Sequence, residues 1–233
     1  MRTAGKCGAG QNWSMSDSRT APTITDDIAP PDDGFGRLWR KQYWIELDLP
    51  EISPEQILAD WRDHFDAFWP GDNRLYAELR KLRPLDLAEM DIEVAPGARI
   101  TSGVVLLYSR PDAFALITPK GHMFNGVITF GVRSRDRARV AEIDIRMRAS
   151  DPLFEIGMAL FGHRQEDRFW TGTLHNLGLH WQQDCHVHQS AQVVDRHRHW
   201  NRAINVWHNA AIRSLLGRGA TRVRAILRRE GQA

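Results

Sequence analysis

Hydrophobic positions change their spacing several times along this chain, and each change marks an element. In QYWIELDL, Tyr43, Ile45, Leu47 and Leu49 alternate with Trp44, Glu46 and Asp48, the period of a strand with one buried face. ISPEQILADWRDHFDAFWPGD then changes period. Ser53 suits an N-cap, Pro54 the first helical position, and Gln56 the partner in a capping box. Ile57, Leu58, Trp61, Phe65, Phe68 and Trp69 form a broad apolar stripe, which Pro70-Gly71 ends. NRLYAELRKL predicts a second, short helix before Pro84.

From Leu85 to Ala149 the period is two. LAEMDIEV, ARITSGVVLLYS, AFALITP, HMFNGVITFGV and RVAEIDIRMRA predict successive strands, with turn signals at Pro96-Gly97, Arg110-Pro111-Asp112, Pro119-Lys120-Gly121 and Ser134-Arg135-Asp136. The last strand sets Val140, Glu142, Asp144, Arg146 and Arg148 toward solvent and Ala141, Ile143, Ile145, Met147 and Ala149 inward. Such alternation is that of an antiparallel sheet with one wet face.

Helical spacing then returns. Asp151-Pro152 opens DPLFEIGMALFG, which is predicted to stop at Gly162. In the next segment Trp170, Leu174, Leu177 and Trp181 make one buried stripe, a lid for the apolar face of the sheet. Residues 182–216 contain neither Gly nor Pro, and Val193, Trp200, Ile204, Trp207, Ala211 and Leu215 recur on one face, predicting an appended amphipathic helix. The first 34 residues show no period and predict a disordered leader.

Composition narrows the class without naming a task. The 31 Lys and Arg nearly balance 29 Asp and Glu, which gives no reason to expect nucleic acid. Six arginines nevertheless crowd the C-terminus from Arg213 to Arg229, and with Val223, Ile226 and Leu227 they suggest peripheral membrane contact. Cys7 and Cys185 make no disulfide framework. Neither a signal peptide nor a transmembrane run is apparent, so a cytoplasmic location is expected.

Candidate chemistry is sparse. Cys185, His186, His188, His197 and His199 crowd DCHVHQSAQVVDRHRHW, and a helix would stack His180, Asp184 and His188. No HExxH, ExxH pair or CxxC accompanies them, so no metal site is expected and the histidines read as a solvated polar face. Cys185 beside His186 is not an activated pair by adjacency alone. Glu142 with Asp144, and Glu89, Asp91 and Glu93 one strand earlier, are carboxylates on faces assigned to solvent.

The order of elements and several stretches, namely ISPEQIL, ITPKGHMFNGVITFGV, AEIDIRMRASDPLFEIG and HRQEDRFWTGTLHNLGLHW, resemble the SRPBCC superfamily, the START-related and polyketide-cyclase-like proteins. The resemblance spans Leu38 to Trp181. It implies an α+β helix-grip fold, an antiparallel sheet wrapped around a long C-terminal helix, here with an extra helical extension. Residues 35–183 would be that domain, preceded by the leader 1–34 and followed by a helical, basic extension over 184–233.

The resemblance also implies a cavity between sheet and helix for a hydrophobic small molecule, lipid-like or polyketide-like. Its wall would be Ile128, Phe130, Ile143, Ile145, Met147, Trp170, Leu174, Leu177 and Trp181, with His122 at the mouth, and no cofactor is implied. A strand-end histidine bonded to backbone is the plainer reading of His122. The alternatives are an enzyme of cyclase, dehydratase or hydrolase type using the same cavity, or an assembly protein forming a homodimer through its C-terminal helices. An inward polar constellation would favour the enzyme, an empty apolar cavity the carrier, and a filled core with exposed Trp200 and Trp207 the assembly protein.

Overall fold

The computed structural model describes residues 27–95 and 98–208. The leader predicted for 1–34 falls outside it up to residue 26, and the basic C-terminal end from 209 onward also lies outside the described residues. One antiparallel sheet organises the rest. Its strands are β1 (Leu38–Leu47), β2 (Arg74–Leu75), β3 (Leu87–Ala95), β4 (Ala98–Ser109), β5 (Ala113–Ile117), β6 (Phe124–Arg135), β7 (Ala138–Ala149) and β8 (His188–Asp195). They lie side by side in the order β2-β3-β4-β5-β6-β7-β1-β8, so β3 to β7 form a meander and β1 closes it against β7.

Three helical segments cover the concave face. In α1 (Pro54–Asp63) the Ser53 Oγ accepts from the Gln56 N–H at 3.2 Å, and Gln56 Oε1 accepts from the Ser53 N–H at 3.0 Å, the capping box expected from the sequence. Its Ile57, Leu58 and Trp61 are buried, as are Phe65 and Phe68 in the 3-10 turn that follows. The other two are α2 (Pro152–Gly157) and α3 (His163–His180). Asp151 caps α2 by accepting from the N–H groups of Leu153 and Phe154 at 2.8 and 3.1 Å.

Several predicted elements take another form. Gly162 does not stop the helix: a π-helical turn, Met158–Gly162, joins α2 to α3 in one rod, and a side chain at position 162 would collide with Met158. The second short helix predicted before Pro84 is absent. Arg74–Leu75 pairs with β3 instead, Asn73 is held to Pro70 O and the Glu93 N–H, and only Leu79–Lys81 turns as a 3-10 helix. Strand pairing outweighs local helix propensity there.

Over its described part, 182–208, the helix predicted for 182–216 is likewise replaced. Gln182 takes a left-handed φ of 59°, and the Gln183 N–H returns to Gly178 O at 2.9 Å, ending α3 and reversing the chain. Gly178 permits this, since a Cβ there would stand 2.9 Å from Gln183 O. The chain then runs back along β1 as β8, and helical structure returns only as a 3-10 helix, Trp200–His208. Residues 184–195 thus extend the sheet rather than append a helix to it.

The wet face of β7 is as predicted at Glu142, Asp144 and Arg146, whereas Val140 is wholly buried and Arg148 is 2% exposed. Residues 27–36 fold over it, bridged by Ile28 to Pro119 and with Ala29 and Phe35 buried, so the predicted leader is packed at its C-terminal end. Arg148 donates to Gly36 O, His197 O and Asp195 Oδ2 at 2.7, 2.9 and 2.6 Å, tying this segment to the end of β8. Among the described residues no helix is long and apolar enough to cross a membrane.

Candidate functional site

Cross-strand register divides the concave wall into rows. One row runs Tyr43, Ile143, Phe130, Phe114 across β1, β7, β6 and β5. Helices close it completely. Phe130 stacks on Phe114 at 4.7 Å between centroids and meets Trp61, Phe65 and Trp170 at 5.5, 5.0 and 5.7 Å. Leu174 and Leu177 of α3 complete the packing, both wholly buried.

The next row is different. It runs Lys41, Ile145, Ile128, Leu116, and beyond it Trp39 pairs with Met147, which pairs with Gly126. Ile145 and Leu116 are buried, but Ile128 between them remains partly exposed, and Phe124, Ile92 and Phe169 are likewise only partly buried against the core. An inward-facing isoleucine whose row neighbours are covered marks the open end of the grip.

A lysine lies in that row. Lys41, 2% exposed, sets its Nζ 2.8 Å from Glu166 Oε2 and 2.8 Å from Asp167 Oδ1. The Tyr43 hydroxyl donates to the same Asp167 oxygen at 2.6 Å. Burial pushes the Glu166 carboxyl up to about 7 against the pull of Lys41, and burial with Lys41 pushes His163, packed on Trp39 at 4.4 Å, down to about 4. The Tyr43 hydroxyl is raised, by burial first and then by the two carboxylates. The cluster can hydrogen-bond a polar group and can hold or release a proton at Glu166 near neutrality.

On its other side α3 faces a groove. A hollow of about 590 Å³ lies between Arg168, Thr171, Gly172 and His175 and residues 184–187, and an adjoining one of about 570 Å³ reaches Trp44 and His188. Consecutive residues of α3 thus serve two surfaces, with Glu166 inward, Arg168 in the groove, and Asp167 reaching both.

The histidine-rich stretch lines this groove without converging. His188 stacks on Trp44 at 5.3 Å, His180 Nε2 pairs with Asp60 at 2.8 Å, and His197 pairs with Asp195 at 2.9 Å. Among the described residues no group of three or more His, Cys, Asp and Glu is placed to hold a metal. The Cys185 thiol donates to Glu46 O at 3.3 Å and burial raises its pKa, the opposite of an activated nucleophile. Of the outward carboxylates, Glu142 pairs with Arg133, Asp144 with Arg40, and Asp91 accepts from Tyr76 and Thr101.

The predicted wall residues gather in one cluster. Phe130, Ile143, Ile145, Met147, Trp170, Leu174 and Leu177 are buried together, with Ile128 and Trp181 partly buried against them. His122 turns back on its own backbone: its Nδ1 accepts from the Phe124 N–H at 3.0 Å, and burial lowers its pKa to about 4. Lys41, Glu166, Asp167, Tyr43 and His163 were not among the predicted site residues, although a signal existed. Lys41 continues the inward phase of Tyr43 and Ile45, and Glu166 lies one helical turn before Trp170.

Neither a family model nor a curated protein matches the sequence. Solved structures do match in fold. Protein Ms6760 of Mycobacterium smegmatis is 9% identical with a TM-score of 0.45, the match covering 67% of this chain and 96% of that one. The di-domain ARO/CYC StfQ of the steffimycin biosynthetic pathway is 12% identical with a TM-score of 0.47, over 63% of this chain and half of that one (50%). The major latex-like protein 151 of Panax ginseng is 12% identical with a TM-score of 0.37, over 57% of this chain and 97% of that one. These likenesses are partial; what the described residues show by themselves is an α+β fold, one antiparallel sheet with helices packed against it.

Proposed function

We propose that the protein binds a mainly apolar small molecule bearing one polar group, at the open end of the grip. Ile128, Phe124, Met147, Ile92 and Phe169 would contact its apolar body, and the Lys41–Glu166 pair its polar group. The observation that carries this reading is the buried Lys41–Glu166–Asp167–Tyr43 cluster, in the same row as the partly uncovered Ile128. Two strand spacings separate Lys41 from Ile128, about 10 Å, the reach of a small ligand. Small-molecule sites have this composition, an apolar wall with few polar anchors.

A second reading rests on Glu166. A carboxyl held near 7 beside a tyrosine is suited to proton transfer, which favours an enzyme using the same site.

The test is native mass spectrometry of the full chain, with denaturing extraction to identify any adduct. The expected result is a reproducible apolar adduct that Ile128→Trp, which fills the open end, abolishes while the fold is retained. Protein free of adduct, with uptake of a fluorescent anilinonaphthalene unchanged by Ile128→Trp, would overturn it.

A further inference from the structure

Large apolar side chains that face solvent are concentrated in one place. Among the described residues, Leu153, Ile156 and Leu160 on α2 and the π turn are 53, 58 and 60% exposed, and Trp200, Ile204 and Trp207 on the last 3-10 helix are 73, 64 and 71% exposed. The two elements are neighbours, and the second is fixed rather than loose. Asn205 Nδ2 donates to Ser150 O at 2.9 Å and to Asp33 O at 3.0 Å, the His199 N–H donates to Phe35 O at 2.8 Å, and Arg198 pairs with Glu155 at 3.2 Å. Trp200 rests edge-on against Phe35 at 5.1 Å while most of its ring stays in solvent.

This ledge lacks unpaired surface charge: on the 3-10 helix its arginine, Arg202, is paired with Asp33. Between Pro152 and Gly162 the sole charged residue is Glu155, which is buried and neutralised by Arg37 and Arg198. Cations flank the ledge instead. Arg164 follows α2 by less than two turns, Arg196 precedes the 3-10 helix, and both are exposed without an ion pair among the described residues.

We infer that this ledge docks on an anionic lipid surface. Exposed tryptophans set among aliphatic residues, with only the neutral Arg202–Asp33 pair between them and cations around them, match the interface of a bilayer, where indole rings are favoured and basic groups meet acidic headgroups. A protein partner would need free pairing groups within the patch, and there Glu155 and Arg202 are already paired, with Arg37, Arg198 and Asp33. Apolar clusters of this kind on soluble domains mark contact surfaces.

Cosedimentation of the full chain with phosphatidylcholine vesicles, with and without phosphatidylserine, tests this directly. Binding is expected only with phosphatidylserine present, accompanied by a blue shift of tryptophan emission and weakened by added salt. Trp207→Ala and Leu160→Ser should each reduce partitioning about tenfold. Arg164→Gln and Arg196→Gln should each reduce it about fivefold. Both apolar positions are exposed, so unchanged circular dichroism is expected to show that the variants fold. Equal binding to both vesicles, or variants that bind like the parent, would overturn the inference. So would absence of vesicle binding together with a dimer in light scattering that Trp207→Ala dissolves, because the ledge would then belong to a second copy of the chain.

Discussion

Replacing Lys41 with methionine isolates the electrostatics of the concave wall. Lys41→Met keeps an unbranched apolar stem in place and removes the cation that stands 2.8 Å from both Glu166 and Asp167. In the native protein, burial raises the Glu166 pKa from 4.5 to about 7 while Lys41 pulls it down. The folded state therefore keeps a proton that the unfolded chain has released, so this group lowers stability as pH climbs from 4.5 to about 7, and the loss levels off above that. Without Lys41 the downward pull is gone and Glu166 holds its proton to higher pH. The loss then continues past neutrality, at ~1.4 kcal/mol per pH unit.

Lys41→Met should accordingly cost about 1–2 kcal/mol near pH 5, where Glu166 is largely protonated in both proteins, and about 3–5 kcal/mol near pH 8.5. Urea titrations at fixed pH read this as a shift in midpoint at constant slope. Adding Glu166→Gln to Lys41→Met should recover most of the loss at high pH and little at low pH. Equal costs at the two pH values, or a double variant no better than the single one at high pH, would refute the argument.

Arg148→Met should cost about 2–4 kcal/mol, since it removes a buried guanidinium and strands the buried Gly36 carbonyl, and it cuts the tie to His197 O and Asp195. Amide exchange should accelerate in 34–36 and 188–195 ahead of the rest of the sheet, and uniform acceleration would show that Arg148 is not the tie. Asp151→Ala should lower stability by about 1–2 kcal/mol through loss of the α2 cap, read by thermal melting. Asp151→Asn should recover most of that, and failure to recover would mean that the cap is not the source.

What could be read from the sequence follows from which residues are buried on one side only. The strands from Leu87 to Ala149 declare themselves because one face packs and the other is wet, and α1 because Ser53, Pro54 and Gln56 mark its start. Strand β8 is silent for the opposite reason. Nearly all of His188–Asp195 is exposed on both faces, so no alternation is imposed, and backbone pairing with β1 holds it, with His188 on Trp44 and Asp195 on Arg148 at its two ends. The end of α3 is equally hidden, because its stop is a left-handed glutamine rather than a glycine. The apolar members of the site were legible as stripes. The polar cluster was not, because an inward lysine on β1 and an inward glutamate on α3 become meaningful only when register and helix phase bring them together.

The strand order also sets a timetable for synthesis. Leu47 pairs with Arg139, about ninety residues further along, so β1 leaves the ribosome on the order of 5–20 s before its partner β7 exists. Strand β8, on its other side, arrives later still. The β3–β7 meander can assemble hairpin by hairpin as it emerges, whereas Tyr43, Ile45 and Leu47 wait uncovered until the sheet behind them is complete. Closure of β1 is thus a late, long-range event. Lys41 interrupts that waiting apolar row, and so breaks up the segment of the nascent chain that is left longest without a partner.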